Sequence, residues 1–161
     1  MPNPGINNSQ LAPCPNTPNC VSSQAQDESP YIEPIAYAGS QQEARLRLLQ
    51  IIESEKRTNI ITEREDYIHI EFTSALFRFV DDVEFYFPGD KADKTVIHVR
   101  SASRVGRSDL GVNRKRIERI RSKFESQEYW VVIEDAACFN YIIDASRLLG
   151  MIQENIWYLP R

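Results

Sequence analysis

The residues best suited to chemistry in this chain are cations, and nine of its 19 Lys and Arg lie in one segment, residues 100–123. This segment, RSASRVGRSDLGVNRKRIERIRSK, holds only two acids, so its net charge is +7 in a chain of net charge −4. The rest of the chain therefore carries −11. Such a segment is suited to a bound anion, to an acidic partner or to an acidic patch of the protein's own fold.

The first half of this segment leaves a predicted strand, turns, and begins a predicted helix. The free amides of a helix N-terminus beside arginines suit an anion such as phosphate or carboxylate. The candidate binding residues are Arg100, Ser101, Ser103, Arg104, Asp109, Asn113 and Arg116. A structural role is the competing interpretation, in which Arg100 or Arg104 pairs with Asp81 or Asp82, and we favour it because acids are available within the same sheet. In that interpretation Asp109 and Asn113 cap the turn and the helix.

Catalytic signatures are missing from the sequence. Nucleophilic catalysis would bring Cys20 or a serine together with His69 or His98 and an orienting group. The chain contains no GxSxG elbow and no Gly-rich phosphate loop with its lysine. We therefore predict a protein that is not an enzyme, with no catalytic residues. A hydrolase that uses Cys20 or a serine is the alternative.

Metal and cofactor binding are also not predicted. Cys14 and Cys20 have five residues between them in CPNTPNC, whereas zinc ligands favour two to four. His69 and His98 lie on strands that are not adjacent, about 9–10 Å apart, so they and Glu84 are poorly placed to share a metal. Cys14 and Cys20 are structural candidates instead. Their spacing alone leaves open whether they form a disulfide.

The elements that must position these residues follow from the hydrophobic pattern. Seven of the nine prolines lie in residues 1–34, which predicts an extended arm with a disordered start at residues 1–10 and an ordered strap at 11–24. The predicted order is then a strand, a helix, four strands and a second helix. The elements are a strand at 32–37, a helix from the Ser40 capping box to about Lys56, strands at 59–63, 67–73, 77–87 and 95–102, and a helix from Asn113.

Short connections make the four strands an antiparallel meander, and the helices can cover one face of a curved sheet. The predicted fold class is therefore α+β, in a TATA-box-binding-protein-like arrangement, which does not imply DNA binding. The predicted divisions are a Pro/Asn/Ser-rich arm at 1–31, an α+β domain at 32–126 and an apolar C-terminal extension at 127–161. The apolar residues of this extension have the spacing of a helix, which predicts a helical tail.

Asp81 and Asp82 are structural candidates because the alternation of the third strand places Asp81 on its aromatic face. A lone carboxylate there would be strongly disfavoured, so either a bulge at Asp81 and Asp82 turns it outward or a buried cation meets it. We predict that at least one of the two acids pairs with Arg100 or Arg104. Cross-strand pairing also predicts contacts of Glu71 with Arg78, of Glu84 with His98 and of Asp82 with Arg100.

The surroundings of the protein are predicted from composition. No apolar run approaches the roughly 20 residues of a membrane span, and the start of the chain lacks an export signal. We predict a cytoplasmic location and leave a membrane-peripheral one open. Specific nucleic-acid binding is not expected from an acidic chain whose cations are shared with internal acids. Residues 129–158 are a candidate surface for a homo-oligomer or a partner.

Three motifs in order resemble a known family: CPNTPNCVSSQ at 14–24, FRFVDDVEFYF at 77–87 and RSASRVGRSDLGVNRKRIERIR at 100–121. The chain is similar to the domain-of-unknown-function 1499 family over about residues 11–126. This resemblance implies a bacterial, cyanobacterial or plastid-type protein without an established activity. The motif positions are Cys14, Pro15, Asn19, Cys20, Ser22, Ser23, Asp81, Asp82, Arg100, Ser101, Ser103, Arg104, Gly106, Asp109, Gly111, Asn113 and Arg116. Many relatives look exported or lipid-anchored, and this chain shows neither feature.

The predicted function is that of a non-enzymatic binding or accessory protein. The arm, the strand exit and the start of the second helix converge on one polar site at 100–116. Its partner is an unknown small anion or a protein. An assembly or scaffold factor that docks through the apolar tail is a further alternative.

Overall fold

Eight strands and two helices make up the part of the protein that the computed structural model describes, residues 3–89 and 96–126. The elements are β1 (Ile6–Asn7), β2 (Gln10–Leu11), β3 (Cys20–Ser22), β4 (Ile35–Ala36), α1 (Gln41–Ser54), β5 (Thr58–Glu63), β6 (Tyr67–Thr73), β7 (Val80–Tyr86), β8 (Val96–Ser103) and α2 (Val112–Ser126). The predicted apolar extension at 127–161 lies outside the described residues.

The main sheet has the strand order β3-β8-β7-β6-β5, and every pair in it is antiparallel. β4 pairs with the beginning of β8, and β1 and β2 form a separate hairpin. The predicted α+β class, with a mostly antiparallel sheet and two helices, is confirmed. From β4 onward the chain also follows the predicted order of strand, helix, four strands and helix.

α1 begins and packs as its sequence predicts. Ser40 accepts a hydrogen bond from the Glu43 amide, and the Glu43 carboxylate accepts one from the Ser40 amide, which completes the predicted capping box. The predicted apolar stripe is buried against the sheet: Ala44, Leu48, Ile51 and Ile52. α1 therefore covers one face of the sheet with a helix-period stripe.

α2 packs its predicted stripe of Ile117, Ile120 and Phe124 into the same core. Its predicted N-cap is wrong, because Asn113 lies inside the helix and is completely buried. The cap is supplied by Asp109, whose carboxylate accepts hydrogen bonds from the amides of Gly111 and Asn113. Asp109 does this because it lies four residues before Asn113, across a turn that the positive φ of Gly111 permits.

β7 begins at Val80, three residues later than predicted. Phe77 and Phe79 have a strand-like alternation but lie in the loop that joins β6 to β7, and both are exposed. Ser74 closes this loop: its amide donates to the Phe79 carbonyl, and its hydroxyl accepts from the Phe79 amide. Arg78 has a φ of +58°, which no strand residue adopts, so the strand cannot extend back through it.

The later start of β7 changes the cross-strand partners. Glu71 lies opposite Asp82 instead of Arg78. On β8, Glu84 faces Arg100 instead of His98, and Asp82 faces Ala102 instead of Arg100. The β7–β8 register is displaced by two residues from the predicted one. A two-residue displacement keeps each side chain on its predicted face, so the faces were right and the partners wrong.

The arm is built into the fold. The expectation of a disordered start does not hold for residues 3–10, since β1 pairs with β2 and Ile6 and Leu11 pack with Tyr67 and Tyr86. The Gly5 amide donates to the Glu84 carboxylate. Further along, β3 forms the edge of the main sheet beside β8. Within residues 3–89 and 96–126, neither helix has the length and apolar character needed to cross a membrane.

Candidate functional site

Four connecting segments meet at one end of the main sheet, which we call the loop end. These segments are the arm at 14–19, the α1–β5 turn at 55–57, the β6–β7 loop at 74–79 and the β8–α2 loop at 104–111. Backbone hydrogen bonds tie them to neighbouring strands, from Thr73 to Arg57, from Arg104 to Val80 and from Ser103 to Asn19. Antiparallel pairing places these strand ends together, so the loop end contains most of the predicted binding residues.

Asn113 is the centre of a buried network that includes four of the predicted binding residues. Its side-chain oxygen accepts from the Ser101 hydroxyl and, at 2.7 Å, from Arg116. Its side-chain nitrogen donates to the Ser103 hydroxyl at 3.0 Å and to the Asn19 carbonyl at 3.1 Å. The network therefore joins the arm, β8 and α2. Ser101, Ser103, Asn113 and Arg116 come together as predicted, but in the interior.

Asp81 lies on the helix-facing side of the sheet, as its alternation predicts, but its partner differs from the prediction. Its carboxylate accepts a hydrogen bond from Arg116 of α2, and both side chains are about nine-tenths buried. The Arg116 guanidinium also lies over the Phe72 ring, 4.8 Å from its centroid. Arg100 and Arg104 cannot reach Asp81 because they project from the opposite face.

Asp82 does pair with Arg104, which confirms the predicted pairing of an acid with an arginine. Arg104 Nε and Nη2 donate to the two oxygens of Asp82 at 2.9 and 2.7 Å, and His69 Nε2 donates at 2.8 Å. Burial alone would raise the pKa of Asp82, but these hydrogen bonds outweigh burial and hold it well below its usual value. The hydrogen bonds that Arg104 donates to Asp82, and then the one that it donates to Glu71, raise the pKa of Arg104 above its usual value.

Arg100 is buried in a second charged cluster on the same outer face. It donates to Glu84 at 2.6 Å, and Tyr67 donates its hydroxyl proton to the other oxygen of Glu84 at 2.7 Å. Burial, followed by the charge of Glu84, raises the pKa of Tyr67. Arg100 is 1% exposed, so a ligand at the surface cannot reach it.

The start of α2 already holds an anion that belongs to the chain. The Asp109 carboxylate accepts from the Asn113 amide at 2.7 Å and from the Gly111 amide at 3.0 Å. The sequence predicted that amides at the start of this helix would bind an external phosphate or carboxylate. Because an internal carboxylate occupies them, the structural interpretation of Asp109 is supported.

The alternative of an enzyme with Cys20 as its nucleophile requires a free thiol at that residue. Cys14 and Cys20 form a disulfide, which the sequence left open, so Cys20 carries no free nucleophile. The Ser23 hydroxyl lies 3.2 Å from His98 Nδ1, but no carboxylate among the described residues orients this imidazole. Burial lowers the pKa of His98. Within residues 3–89 and 96–126, no three His, Cys, Asp or Glu side chains are grouped as a metal would require.

A cleft at the loop end, the basic cleft, has a volume of about 530 Å³ and lies between the end of α1, the end of β6 and α2. Five of its lining residues are cations and one, Glu55, is an acid. The lining residues are Ser54, Glu55, Lys56, Arg57, Phe72, Thr73, Ser74, Ala75, Val112, Arg116, Arg119 and Lys123. Arg116 is the one member that the sequence singled out as a binding candidate.

Glu55 balances part of the cleft's charge. It accepts from Arg119 at 2.8 Å and from Lys123 at 2.7 Å. Burial alone would raise the pKa of Glu55, but the bonds from these two cations outweigh burial and lower it. Lys56 and Arg57 are exposed and pair with no carboxylate among the described residues. The sequence reasoning missed them because they lie far from the basic segment, in the turn after α1.

A second concave region, the disulfide groove, has a volume of about 720 Å³. It lies where the arm, the β8 exit and the start of α2 converge. Its lining residues are Cys14, Pro15, Asn16, Thr17, Pro18, Cys20, Val21, Asp27, Ser29, Pro30, Ser108, Asp109, Gly111 and Arg114. Two acids face one cation, and that cation, Arg114, donates to the Ser29 carbonyl at 2.9 Å.

The fold and site describe an α+β protein with a basic, loop-lined end. A family model described as "Protein of unknown function (DUF1499)" matches residues 10–124, which is most of the chain. The chain therefore belongs to this family, and the resemblance found in its motifs is confirmed. No curated protein and no solved structure matches the chain.

Proposed function

We propose that this is a non-enzymatic binding protein that binds an anion, of phosphate or carboxylate type, in the basic cleft. The observation that carries the proposal is the charge of the lining, with five cations and a single carboxylate. Lys56 and Arg57 stand at the surface without an acidic partner among the described residues. Cations with spare donors are the groups that recognise phosphate and carboxylate oxygens.

The cleft is favoured over the segment 100–116 that the sequence suggested. In that segment Arg100, Asn113 and Arg116 are buried, and each of them donates to an acceptor within the protein. Four residues of the basic segment nevertheless line the cleft: Val112, Arg116, Arg119 and Lys123. The disulfide groove suits an anion less well, because Asp27 and Asp109 would repel it.

The other interpretations of the function, the fold and the compartment have less support or lie outside the described residues. The hydrolase alternative is weakened by the disulfide at Cys20. An assembly role or a homo-oligomer through residues 129–158 stays a proposal, since those residues lie outside the described part. The likeness to the TATA-box-binding-protein-like arrangement also stays a proposal, supported by the element order. The disulfide favours an oxidising compartment over the predicted cytoplasm, where thiols are kept reduced.

The test is a calorimetric titration of the full chain with inorganic phosphate and with pyrophosphate. In the double variant K56Q/R57Q we expect at least about tenfold weaker binding, which is what the loss of one charge-assisted hydrogen bond costs. The matched control is R45Q/R64Q, which removes two cations at the other end of β5. Equal binding by the two double variants, or no binding by the wild type, would contradict the proposal.

A further inference from the structure

Exposed apolar side chains are concentrated at the loop end. The described residues expose eight large hydrophobic side chains, and only Leu46 and Ile61 lie away from it. The six at the loop end are Leu76, Phe77, Phe79, Val105, Leu110 and Val112. Leu110 is 87% exposed and Leu76 is 79% exposed. An apolar group of this size on one end of a protein marks an interaction surface.

The β6–β7 loop, residues 74–79, holds two of these side chains in a fixed arrangement. The Phe77 and Phe79 rings are stacked with their centroids 5.5 Å apart. The positive φ of Arg78 and the two hydrogen bonds of Ser74 to Phe79 set the shape of the loop. The rings project as one preformed apolar unit, so little conformational entropy is lost when a partner covers them.

Cations surround these apolar side chains. Arg78 lies between the two phenylalanines, and Arg107 lies between Val105 and Leu110. Lys115 is one turn into α2 from Val112. All three cations are exposed, and none pairs with a carboxylate in the described part of the chain. The basic cleft opens beside them, since Ala75 and Val112 belong to its lining.

We infer that the loop end docks on the surface of an anionic lipid bilayer. Phe77, Phe79 and Leu110 enter the interface between headgroups and acyl chains, and the surrounding cations contact lipid phosphates. The partner is chosen by charge, because the chain as a whole carries −4 and would be repelled by an anionic surface except at this end. Projecting rings flanked by long cationic side chains suit a fluid interface.

The inference extends the proposed function, since it makes the anion of the basic cleft a lipid headgroup. The two can still fail separately. The dissolved phosphate of the earlier titration tests the cleft without a membrane. Vesicles test Phe77, Phe79 and Leu110, none of which lines the basic cleft.

The experiment is co-sedimentation of the full chain with phosphatidylcholine vesicles that contain or lack phosphatidylglycerol. We expect binding only with phosphatidylglycerol, and weaker binding at high salt because screening shortens the reach of the cations. The variant F77S/F79S should bind at least about tenfold more weakly, since it removes most of the inserted apolar area. R78Q and R107Q should each weaken binding about fivefold.

The matched control is L46S/I61S, which removes the two exposed apolar side chains that lie elsewhere. It should bind vesicles like the wild type. Equal loss in both double variants, or no vesicle binding by the folded wild type, would overturn the inference. If phosphate still binds through Lys56 and Arg57 in that case, the proposed function survives with a dissolved ligand. A dimer that dissociates in F77S/F79S without any vesicle binding would assign the surface to self-association instead.

Discussion

At the scale of single residues, the buried ion pair of Asp81 and Arg116 has the largest consequence. Each side chain is about nine-tenths buried, so each charge depends on the other for its solvation. Arg116 also completes the hydrogen bonding of Asn113 at 2.7 Å. The pair therefore fixes α2 against β7 and holds the network that positions the β8–α2 loop.

We expect Asp81→Ala or Arg116→Ala to lower the free energy of unfolding by about 3–5 kcal/mol, because each leaves one buried charge without its partner. The double variant should lose less than the sum of the two single changes. Urea unfolding of the three variants measures this. Arg64→Ala serves as the control, since its pair with Asp66 is about half exposed and should contribute less than about 1 kcal/mol. Strict additivity would show that the two charges do not depend on each other.

Residue by residue, the sequence predicted the faces of side chains correctly but most of their partners wrongly. Period-two alternation put Asp81 on the aromatic face of β7, and the structure agrees. Its partner Arg116 lies 35 positions away on a helix, and no local rule connects the two. Asn113 was likewise predicted to be a helix cap, because asparagine is common at that position, but it lies inside α2. Its burial depends on β8 and the arm, which only the tertiary fold brings to it.

At the scale of elements, the arm is held to the sheet by β3 and by the disulfide at its start. β3 pairs through Cys20, Val21 and Ser22 with β8. The Asn19 carbonyl accepts from the Ser103 amide and from the Asn113 side chain. The disulfide thus closes a loop that contains Asn19, the residue that joins the arm to the buried network.

The double variant C14S/C20S should unfold at a lower temperature. Closing a loop of this length is worth about 2 kcal/mol through the entropy of the unfolded chain. Differential scanning calorimetry with and without a reducing agent measures the effect. The reducing agent should lower the wild-type transition to that of the variant and leave the variant unchanged. A variant as stable as the oxidised wild type would show that β3 needs no covalent support.

The elements themselves were largely predictable, because each depends on a local signal. The Ser40 capping box and the helix-period stripe defined α1, and alternation defined β6 within its observed bounds. The start of β7 was not predictable in this way, since Phe77 and Phe79 continue the alternation into a loop. What ends the strand is the backbone of Arg78 and the closure by Ser74, and neither follows from hydrophobic period.

At the scale of the whole molecule, charge is sorted into an interior set and an end set. The acids of β7 pair with Arg100 and Arg116, which are buried, and with Arg104, whose side chain is 42% exposed. Among the described residues, a second group of cations lies at the loop end, where the basic cleft and the exposed phenylalanines are, whereas Arg45 and Arg64 lie at the other end of β5. The sequence shows that cations are concentrated at 100–123. Which of these cations pair in the interior and which lie at the surface follows only from the tertiary fold. Lys56 and Arg57 join the surface group only because β5 starts at the same end.

The shifted pKa values of His98, Asp82 and Glu55 predict how the stability of the fold depends on pH. His98 has a pKa below its ordinary 6.5 because it is partly buried. Above pH 6.5 both the folded and the unfolded state hold it neutral, so its contribution is constant. Below that value the unfolded chain takes up the proton first, and stability falls until the pH reaches the folded pKa. Asp82 and Glu55 have lowered pKa values, so their contribution is full above the ordinary carboxyl pKa and is lost as the pH falls through their folded values.

Acid should therefore destabilise the protein in two steps, one beginning just below pH 6.5 and one below the ordinary carboxyl range. Urea unfolding across this range measures both. His98→Gln keeps an acceptor for the Ser23 hydroxyl but cannot titrate, so it should remove the first step and leave the second. Asp82→Asn should reduce the second step and leave the first, because it removes the carboxylate that His69 and Arg104 stabilise. If His98→Gln retained the full slope between pH 7 and 5, the first step would belong to another group, and the burial of His98 would have no consequence for folding.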